Sequence, residues 1–313
     1  MAGEAPPSQR VNRRVFAERV GCLCATLALS KAGASTRAEL RVVTGGSGEF
    51  GREVARLMQR RFPNFVQGDD FQTLARREGP GRYVSVGPAA LASSLRSDSQ
   101  DPLIALLVSA PAFARITASH ADRGRLRRAT AIFAEASPEA QLDLIAELFK
   151  RAVQVGVLLS DESASLEPRL HAAARRRGME LQVHRISANA NPVREMNRLA
   201  DSTVILSIPD AGVFNNNTFA ALLETTYGRG QGVVGFSTAM VRAGTVASAH
   251  ASAEDLVEHL AEFLSSLDEG RLPEPQYPKY WRVEVNRSVA RSLNLSVDEA
   301  VLALGVKPKG RTP

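Results

Sequence analysis

The sequence predicts an α/β protein in which two doubly wound parallel-sheet lobes are joined by a hinge. Short apolar strand patterns alternate with amphipathic helix patterns along most of the chain, an order typical of βαβ units and of a parallel sheet. This alternation restarts near residue 137, so two sheets are expected. One late helix and one late strand follow, separated by a Pro-rich run, which indicates that the chain returns once to each lobe.

The amino-terminal lobe is predicted to consist of residues 35–136 and 250–274. Its strand patterns are short runs rich in Val, Ile and Leu, as expected for strands buried on both faces: 40–43, 64–67, 83–86, 102–108 and 129–134. The helix patterns of this lobe lie at 49–61, 70–77, 88–95 and 253–267.

The carboxy-terminal lobe is predicted to consist of residues 137–249 and 275–306, with 307–313 as a tail. It opens at Ser137-Pro138-Glu139, an N-cap residue followed by Pro at the first helical position. Its helix patterns lie at 139–151, 166–177, 193–200, 218–226 and 288–293, and its strand patterns at 153–159, 181–186, 203–208, 232–236 and 281–285.

The first 34 residues have the pattern of a secretory signal peptide. A twin arginine, Arg13-Arg14, precedes a ten-residue apolar run at 20–29, and Ala32-Gly33-Ala34 forms a small-x-small cleavage site. The arginine pair favours the twin-arginine export route. We therefore expect a cleaved leader at 1–34 and a periplasmic mature protein.

Composition excludes several classes of function for the mature chain. Without the leader, 34 Lys and Arg stand against 31 Asp and Glu, so the net charge is about +3, and the basic clusters are interpreted as solvated helix faces without a nucleic-acid partner. Both cysteines, Cys22 and Cys24, lie in the leader. The mature chain therefore has no thiol chemistry, and its histidines show no metal-ligand spacing, so no metal or cofactor is expected.

A Gly-rich loop at residues 44–51 permits three interpretations. Gly46, Gly48 and Gly51 match G-x-G-x-x-G between a strand and a helix. The loop could be a tight turn of a parallel lobe, an anion-binding loop with Ser47 adding a hydroxyl, or a dinucleotide site. The third interpretation resembles short-chain dehydrogenases and sugar epimerases, but the Tyr-x-x-x-Lys pair of those enzymes is absent from this sequence.

Residues 203–244 and the carboxy-terminal segment carry a resemblance to a known family. The matching pieces occur in order, as Leu206-Ser-Ile-Pro-Asp210, Phe214-Asn215, Leu222-Leu-Glu-Thr-Thr-Tyr227, Val234-Gly-Phe-Ser237, Ala243-Gly244 and the spaced residues from Tyr277 to Leu295. They resemble the substrate-binding proteins of ABC transporters that are related to tryptophan- and tyrosine-binding lipoproteins. The resemblance covers residues 129–300, and 40–128 by layout only. It implies a type I periplasmic-binding fold that closes on a ligand and performs no chemistry.

Candidate ligand-binding residues are polar or aromatic groups near the carboxyl ends of predicted strands, where α/β lobes bind their ligands. We select Ser47, Gly87, Ser109, Phe113, Ser160, Ser163, Asp210, Asn215 and Ser237. Asp210 is interpreted as a partner for a ligand amine or as a turn residue, and Phe113 as a stacking or a core residue. Ser237 in Gly-Phe-Ser-Thr-Ala lacks the second glycine of a hydrolase nucleophile elbow, so no catalytic residue is expected.

The expected function is that of a monomeric periplasmic solute-binding component of an ABC-type transport system, with a small molecule, such as an amino acid, as ligand and an ABC permease as partner. Two alternatives stay open. One is an NAD(P)-dependent epimerase or reductase that uses the Gly46–Gly51 loop. The other is a periplasmic sensor of the same fold with a sensor kinase as partner.

Overall fold

Two β-sheets organise the residues that the computed structural model describes, 39–267 and 272–308. The predicted leader at 1–34 lies outside these residues, as do the last five residues of the tail. The strand–helix alternation and the restart near residue 137 are both present, and the predicted fold class is confirmed.

The first sheet has five parallel strands in the order β2-β1-β3-β4-β5. Its strands are β1 (Glu39–Val43), β2 (Phe65–Gly68), β3 (Gly81–Val86), β4 (Leu103–Val108) and β5 (Ala129–Phe133). The helices that connect or follow these strands are α1 (Gly48–Arg61), α2 (Phe71–Ala75), α3 (Pro88–Leu95), α4 (Ala110–Ala118) and α5 (Arg123–Leu126). The winding direction reverses between β1 and β3, which creates a switch point at the carboxyl edge of the sheet.

The second sheet has seven strands in the order β12-β11-β10-β9-β8-β6-β7. Its strands are β6 (Gln154–Leu159), β7 (Glu180–Arg185), β8 (Val204–Leu206), β9 (Gly232–Gly235), β10 (Ala247–His250), β11 (Trp281–Val285) and β12 (Gly305–Val306). Strands β6 to β10 pair in parallel, whereas β11 pairs antiparallel with both β10 and β12. The second sheet is therefore parallel except at this one edge.

The remaining helices are α6 (Pro138–Phe149), α7 (Glu167–Arg176), α8 (Pro192–Glu195), α9 (Phe219–Tyr227), α10 (Thr238–Arg242), α11 (Ala253–Ser265), α12 (Arg287–Ser292) and α13 (Glu299–Ala303). Helix α11 packs against the first sheet, because Leu256, Leu260 and Phe263 share a buried cluster with Val54 and Met58 of α1. Its amino terminus carries a capping box between Ser252 and Asp255. The chain thus revisits the first sheet with a helix and the second with β11.

Several short elements were not predicted, namely α4, α5, α10, α13, β10 and β12. Strand β10 reads Ala-Ser-Ala-His and has no β-branched residue, so its sequence lacks a strand signal. The helix predicted at 193–200 is divided into α8 and a 3₁₀ turn at Met196–Leu199. No helix in the described ranges is long and apolar enough to cross a bilayer.

Candidate functional site

Three crossover segments join the two sheets. The chain leaves the first sheet after β5, returns from β10 to α11, and crosses again between α11 and β11. Strands β5 and β10 both enter a crossover directly from their carboxyl ends. The hinge therefore lies at the carboxyl edges of both sheets, which is where α/β proteins bind ligands.

Hydrogen bonds tie the crossovers to one another and to α6. Phe133 N donates to Gln276 O at 2.9 Å, and Gln276 N donates to Ala131 O at 2.9 Å. The buried side chain of Gln141 in α6 donates to Ala249 O at 2.7 Å and accepts from Ala249 N at 3.1 Å. An isolated bridge pairs Glu135 with His250. These bonds hold the first crossover against each of the other two.

A small cavity lies beside the hinge. Its walls are mainly apolar, and they come from the first and third crossovers, α6, and the residues after β8 and β9: Glu135, Ala136, Pro138, Gln141, Leu166, Ser207, Ile208, Pro209, Phe236 and Tyr277. Its volume is about 10 Å³, which is room for roughly one water-sized group.

Glu135 is the acidic residue of this cavity. Its side chain is buried, with 5% of the residue exposed. Oε1 accepts a hydrogen bond from Ala110 N at the start of α4, at 2.9 Å, whereas Oε2 is buried and has no partner among the residues that the structure describes. Burial raises the pKa of Glu135 to about 7, although the Ala110 hydrogen bond and an interaction with the backbone N–H of Glu135 itself act in the opposite direction. The carboxyl group therefore titrates near neutral pH.

Tyr277, in the third crossover, contacts both lobes. Its ring packs edge-to-face against Phe133 of β5 at a centroid distance of 5.0 Å, and the Arg169 guanidinium of α7 lies 4.5 Å from its centroid. Burial, followed by the negative charge of Glu135, raises the pKa of Tyr277. The phenol is therefore neutral at physiological pH, and its ring connects the first sheet to α7.

An ion pair also joins the lobes away from the hinge. Arg115 Nε of α4 lies 3.3 Å from Glu162 Oε1, in the loop after β6. The Arg115 side chain is 59% exposed, so the pair adds at most about 1 kcal/mol to stability. Because its members belong to different lobes, their separation should report on lobe movement.

The candidates of the first lobe gather at one edge of its sheet. Ser47, Gly87 and Ser109 follow the neighbouring strands β1, β3 and β4. A Cβ on Gly87 would lie 3.8 Å from Ser47 Cα, so these two loops touch. Ser109 Oγ caps α4 by accepting from Ala112 N at 3.3 Å, whereas Ser47 precedes α1 and makes no side-chain cap bond.

The glycines of the 44–51 loop are explained by the turn itself. Gly46 and Gly48 have φ values of 76° and 65°, which L-residues with side chains rarely adopt. A Cβ on Gly51 would lie 2.4 Å from Ser47 Cβ, a distance that atoms cannot reach. The tight turn accounts for all three glycines without a bound nucleotide.

Three candidates of the second lobe form one buried cluster. The Asp210 residue is 1% exposed and accepts from Ser160 N at 2.8 Å, Ser160 Oγ at 2.8 Å, Gly212 N at 2.9 Å and the Ser163 hydroxyl. Both carboxylate oxygens are thus occupied by donors of the same lobe. In this structure Asp210 fixes the loops after β6 and β8, and the structure favours the turn interpretation over a direct bond to a ligand amine.

The other candidates serve local structure. Asn215 Oδ1 accepts from Asn217 N at 3.0 Å and from Thr218 N at 3.2 Å at the start of α9, and Ser237 Oγ accepts from Met240 N at 3.4 Å as the N-cap of α10. Phe113 is 8% exposed and packs near Phe133 in the first-lobe core, with ring centroids 6.0 Å apart. Packing therefore accounts for the Phe113 ring without a stacked ligand.

An apolar groove of about 530 Å³ on the second lobe adjoins the hinge cavity. Aromatic and Met side chains and two Asn residues line it together with three alanines: Phe214, Asn215, Asn216, Phe219, Ala220, Phe236, Ala239, Met240 and Ala243. Phe236 lines both this groove and the hinge cavity. Within the described residues, no group of His, Cys, Asp and Glu side chains could hold a metal ion.

Comparisons with known proteins identify the fold. No family model matches the chain, and no curated protein sequence matches it either. Among solved structures, the chain is similar to an ABC domain from Streptococcus pneumonia in complex with L-Trp. The identity is 16%, the match covers 85% of this chain and 98% of that chain, and the TM-score is 0.56.

Two further solved structures have the same overall arrangement. A ligand-free, open substrate-binding protein with adhesive properties from Clostridium difficile gives a TM-score of 0.58 at 12% identity, over 84% of this chain and 97% of that chain. A conserved domain protein from Vibrio cholerae gives 0.56 at 18% identity, over 85% and 98%. The described chain shares its fold with these proteins. This confirms the two-lobe, type I arrangement that the sequence resemblance implied.

Glu135 and Tyr277 at the hinge are not among the residues that the sequence predicted for the site. Glu135 follows the apolar run Ile132-Phe-Ala134 and lies two residues before Ser137, the N-cap of α6, so its position after a strand was available as a signal. Tyr277 enters the prediction only as one of the spaced residues that carry the family resemblance. Their proximity depends on the bridge between residues 132 and 276, which joins segments more than 140 residues apart and has no local sequence signal.

Proposed function

We propose that this protein is an exported solute-binding protein that closes two lobes around a small molecule and presents it to an ABC-type permease. The observation that carries the proposal is the cavity at the hinge, lined by the first and third crossovers and by the second lobe. A site bounded by the crossovers changes shape when the lobes move, so a ligand that fits the closed shape better favours the closed form by its differential affinity.

The solved structures of the same fold support this proposal. One is an ABC domain in complex with L-Trp, and another is a substrate-binding protein captured without ligand in an open form. We propose that the present chain binds a small solute between its lobes. The Arg115–Glu162 contact would form at the mouth of the cleft when the lobes close.

The proposal includes the leader, the lobe limits and the oligomeric state. Residues 1–34 would direct export and be removed, which places a monomeric mature protein in the periplasm. Residues 35–136 and 250–274 would form one moving body, and residues 137–249 and 275–306 the other. We propose no catalytic step, since Ser237 serves as a helix cap and the 44–51 loop is explained as a turn.

A distance measurement between the lobes tests the proposal. Ala118 of α4 and Ser165, just before α7, are exposed and lie near the two members of the cross-lobe ion pair. Spin labels at Ala118→Cys and Ser165→Cys, in a chain with Cys22→Ser and Cys24→Ser, would give distance distributions with and without solutes. The solutes would be amino acids, primary amines, sugars, nucleosides and NAD(P)H.

We expect a shorter and narrower distribution with at least one small solute, and a higher melting midpoint with the same solute. Labels at Ala118→Cys and Ser119→Cys, within one lobe, provide the control, whose distance should not change. A response to NAD(P)H alone would replace the proposal with the dinucleotide interpretation. Distances unaffected by every solute would refute lobe closure.

A further inference from the structure

We infer that Glu135 is the group that holds a protonated primary amine of the solute, whose apolar part lies along the adjoining groove at Phe236. This inference rests on the proposed function, because it assigns a solute class to the same cleft. It does not use Asp210, whose oxygens are occupied within the second lobe.

The hydrogen bonding of Glu135 leaves one acceptor for a ligand. Oε1 is fixed by Ala110 N, at the first residue of a nine-residue helix, and Oε2 is buried with no partner among the described residues. A buried acceptor without a donor is costly, and an ionised acceptor more so. An ammonium group would supply both a donor and a compensating charge.

The charged groups around Glu135 are already engaged with one another. Beyond the neutral ring of Tyr277, Arg169 binds Glu139 with Nε–Oε1 and Nη2–Oε2 distances of 3.0 Å each. His250, opposite Glu135 in the crossover bridge, is neutral at pH 7 because burial lowers its pKa. No cation therefore compensates the Glu135 carboxylate in the described part of the chain.

Two polar side chains that share the cavity with Glu135 already have hydrogen-bond partners. Gln141 binds the backbone of Ala249 through both atoms of its amide, and the Ser207 hydroxyl donates to Val234 O at 2.8 Å. Oε2 of Glu135 is thus the carboxylate oxygen of the cavity that has no partner among the described residues. The space of about 10 Å³ suits a group the size of water or ammonium.

The surroundings also define the rest of the solute. Phe236 lies between the hinge cavity and the groove, which also contains Phe214, Phe219 and Met240. A solute with its amine at Glu135 would therefore place an apolar or aromatic body against these side chains. Sites of this composition bind mainly by apolar contact and use a few polar groups to orient the ligand.

Three probes that share an indole ring separate the amine from the rest of the ligand. Tryptamine has the amine alone, indole-3-propionate has the carboxylate alone, and L-tryptophan has both. Calorimetric titrations of the full chain would compare the wild type with Glu135→Gln. The matched control is Glu139→Gln. It removes one carboxylate charge four residues along the chain from Glu135, and the Glu139 carboxylate is already bound to Arg169.

We expect the two amines to bind and indole-3-propionate not to bind. Glu135→Gln should weaken amine binding by roughly 30-fold or more, the loss expected when one partner of a buried charge pair is removed. Glu139→Gln should change the affinity by less than about threefold. Melting curves of Glu135→Gln would establish that the variant is folded.

Proton release provides a second readout, which needs no variant. At pH 6 the empty site holds a proton on Glu135, and an ammonium ligand should expel it. Titrations in buffers of different ionisation enthalpy should therefore show release of about one proton per amine bound at pH 6, and almost none in Glu135→Gln.

The outcomes separate this inference from the proposed function. Indole-3-propionate binding as tightly as tryptamine, or amine binding unaffected by Glu135→Gln, would overturn the role of Glu135 while lobe closure stands. The same holds if only amine-free solutes shorten the distance between the labels at positions 118 and 165. If no solute shortens that distance, both proposals fail.

Discussion

Replacing Glu135 by Gln should change how the stability of the protein depends on pH. The pKa of Glu135 rises from 4.5 to about 7 because the carboxylate is buried. One pKa unit corresponds to about 1.4 kcal/mol, so ionisation of this group in the folded protein costs about 3 kcal/mol relative to the unfolded chain. Gln has nearly the same shape and has no charge to bury.

The sign follows from the proton binding of the two states. Between pH 4.5 and 7 the folded protein keeps the proton of Glu135 while the unfolded chain has lost it, so Glu135 lowers stability as the pH rises. Below pH 4.5 both states are protonated and the penalty is absent. Glu135→Gln should therefore have stability similar to the wild type at pH 4.5 and be about 3 kcal/mol more stable at pH 8.

Circular dichroism melting curves of both proteins between pH 4.5 and 8.5 would measure this difference. For a chain of this size, about 3 kcal/mol corresponds to a difference in midpoint on the order of 5–10 °C at pH 8. A difference that stays constant across the pH range would refute the reasoning. It would show that Glu135 is solvated or paired in the folded protein.

Glu139→Gln is the control, with the opposite sign. Burial alone would raise the pKa of Glu139, but the hydrogen bond and the charge of Arg169, together with hydrogen bonds from the Glu139 backbone and from Ser137, more than offset this effect, so the pKa lies below its ordinary value. The ionised form of Glu139 therefore stabilises the folded state above the unfolded pKa, and this contribution is lost as the pH falls. Glu139→Gln should lose stability relative to the wild type at neutral pH and recover at acidic pH.

Three further predictions concern the two lobes. Asp210→Ala leaves several buried donors without an acceptor. It should therefore reduce the unfolding free energy by about 3 kcal/mol in urea titrations. A loss no larger than that caused by Asp161→Ala, at an exposed neighbouring position, would contradict the role of Asp210. Gly51→Ala should lower the unfolding free energy by roughly 1–3 kcal/mol in the same assay, because the new Cβ would collide with Ser47. Ala favours helices over Gly, so a gain in stability would show that the turn can relax. Arg115→Ala should change the unfolding free energy by less than about 1 kcal/mol. It should nevertheless broaden the distribution of distances between spin labels at positions 118 and 165. An unchanged distribution would mean that the Arg115–Glu162 ion pair does not restrain the lobes.

Apolar runs and amphipathic patterns in the sequence were sufficient to predict the fold class. Strands β4 and β6 are continuous apolar runs, and the amphipathic pattern of α11 predicted a long helix after the second crossover. Elements without such patterns were missed. Strand β12 has two residues and forms only because Trp281 and Arg282 of β11 present an open edge for pairing, a condition that exists after folding.

Local sequence was a weaker guide to the candidate site. Polar residues after strands were correctly expected near the carboxyl edges, but there the same residue types also cap helices. Ser109 and Ser237 cap α4 and α10, and Asp210 organises its own lobe. A sequence cannot show whether a side-chain oxygen is already occupied. That depends on which backbone donors the fold brings within reach.

The contrast between Asp210 and Glu135 shows why the unused acceptor lies at the hinge. Asp210 is surrounded by donors of a single lobe, which move with it, so its bonds can persist in any arrangement of the lobes. Glu135 belongs to a crossover, and the walls opposite it, such as Phe236, come from the other lobe. A donor fixed on that lobe would compensate the carboxylate whenever the lobes met and would favour closure without a solute. With mainly apolar walls, closing the empty cleft leaves a buried carboxylate oxygen unpaired, which is unfavourable, and an ammonium group removes that cost. Selectivity for amines and closure that depends on the solute would then have the same physical origin.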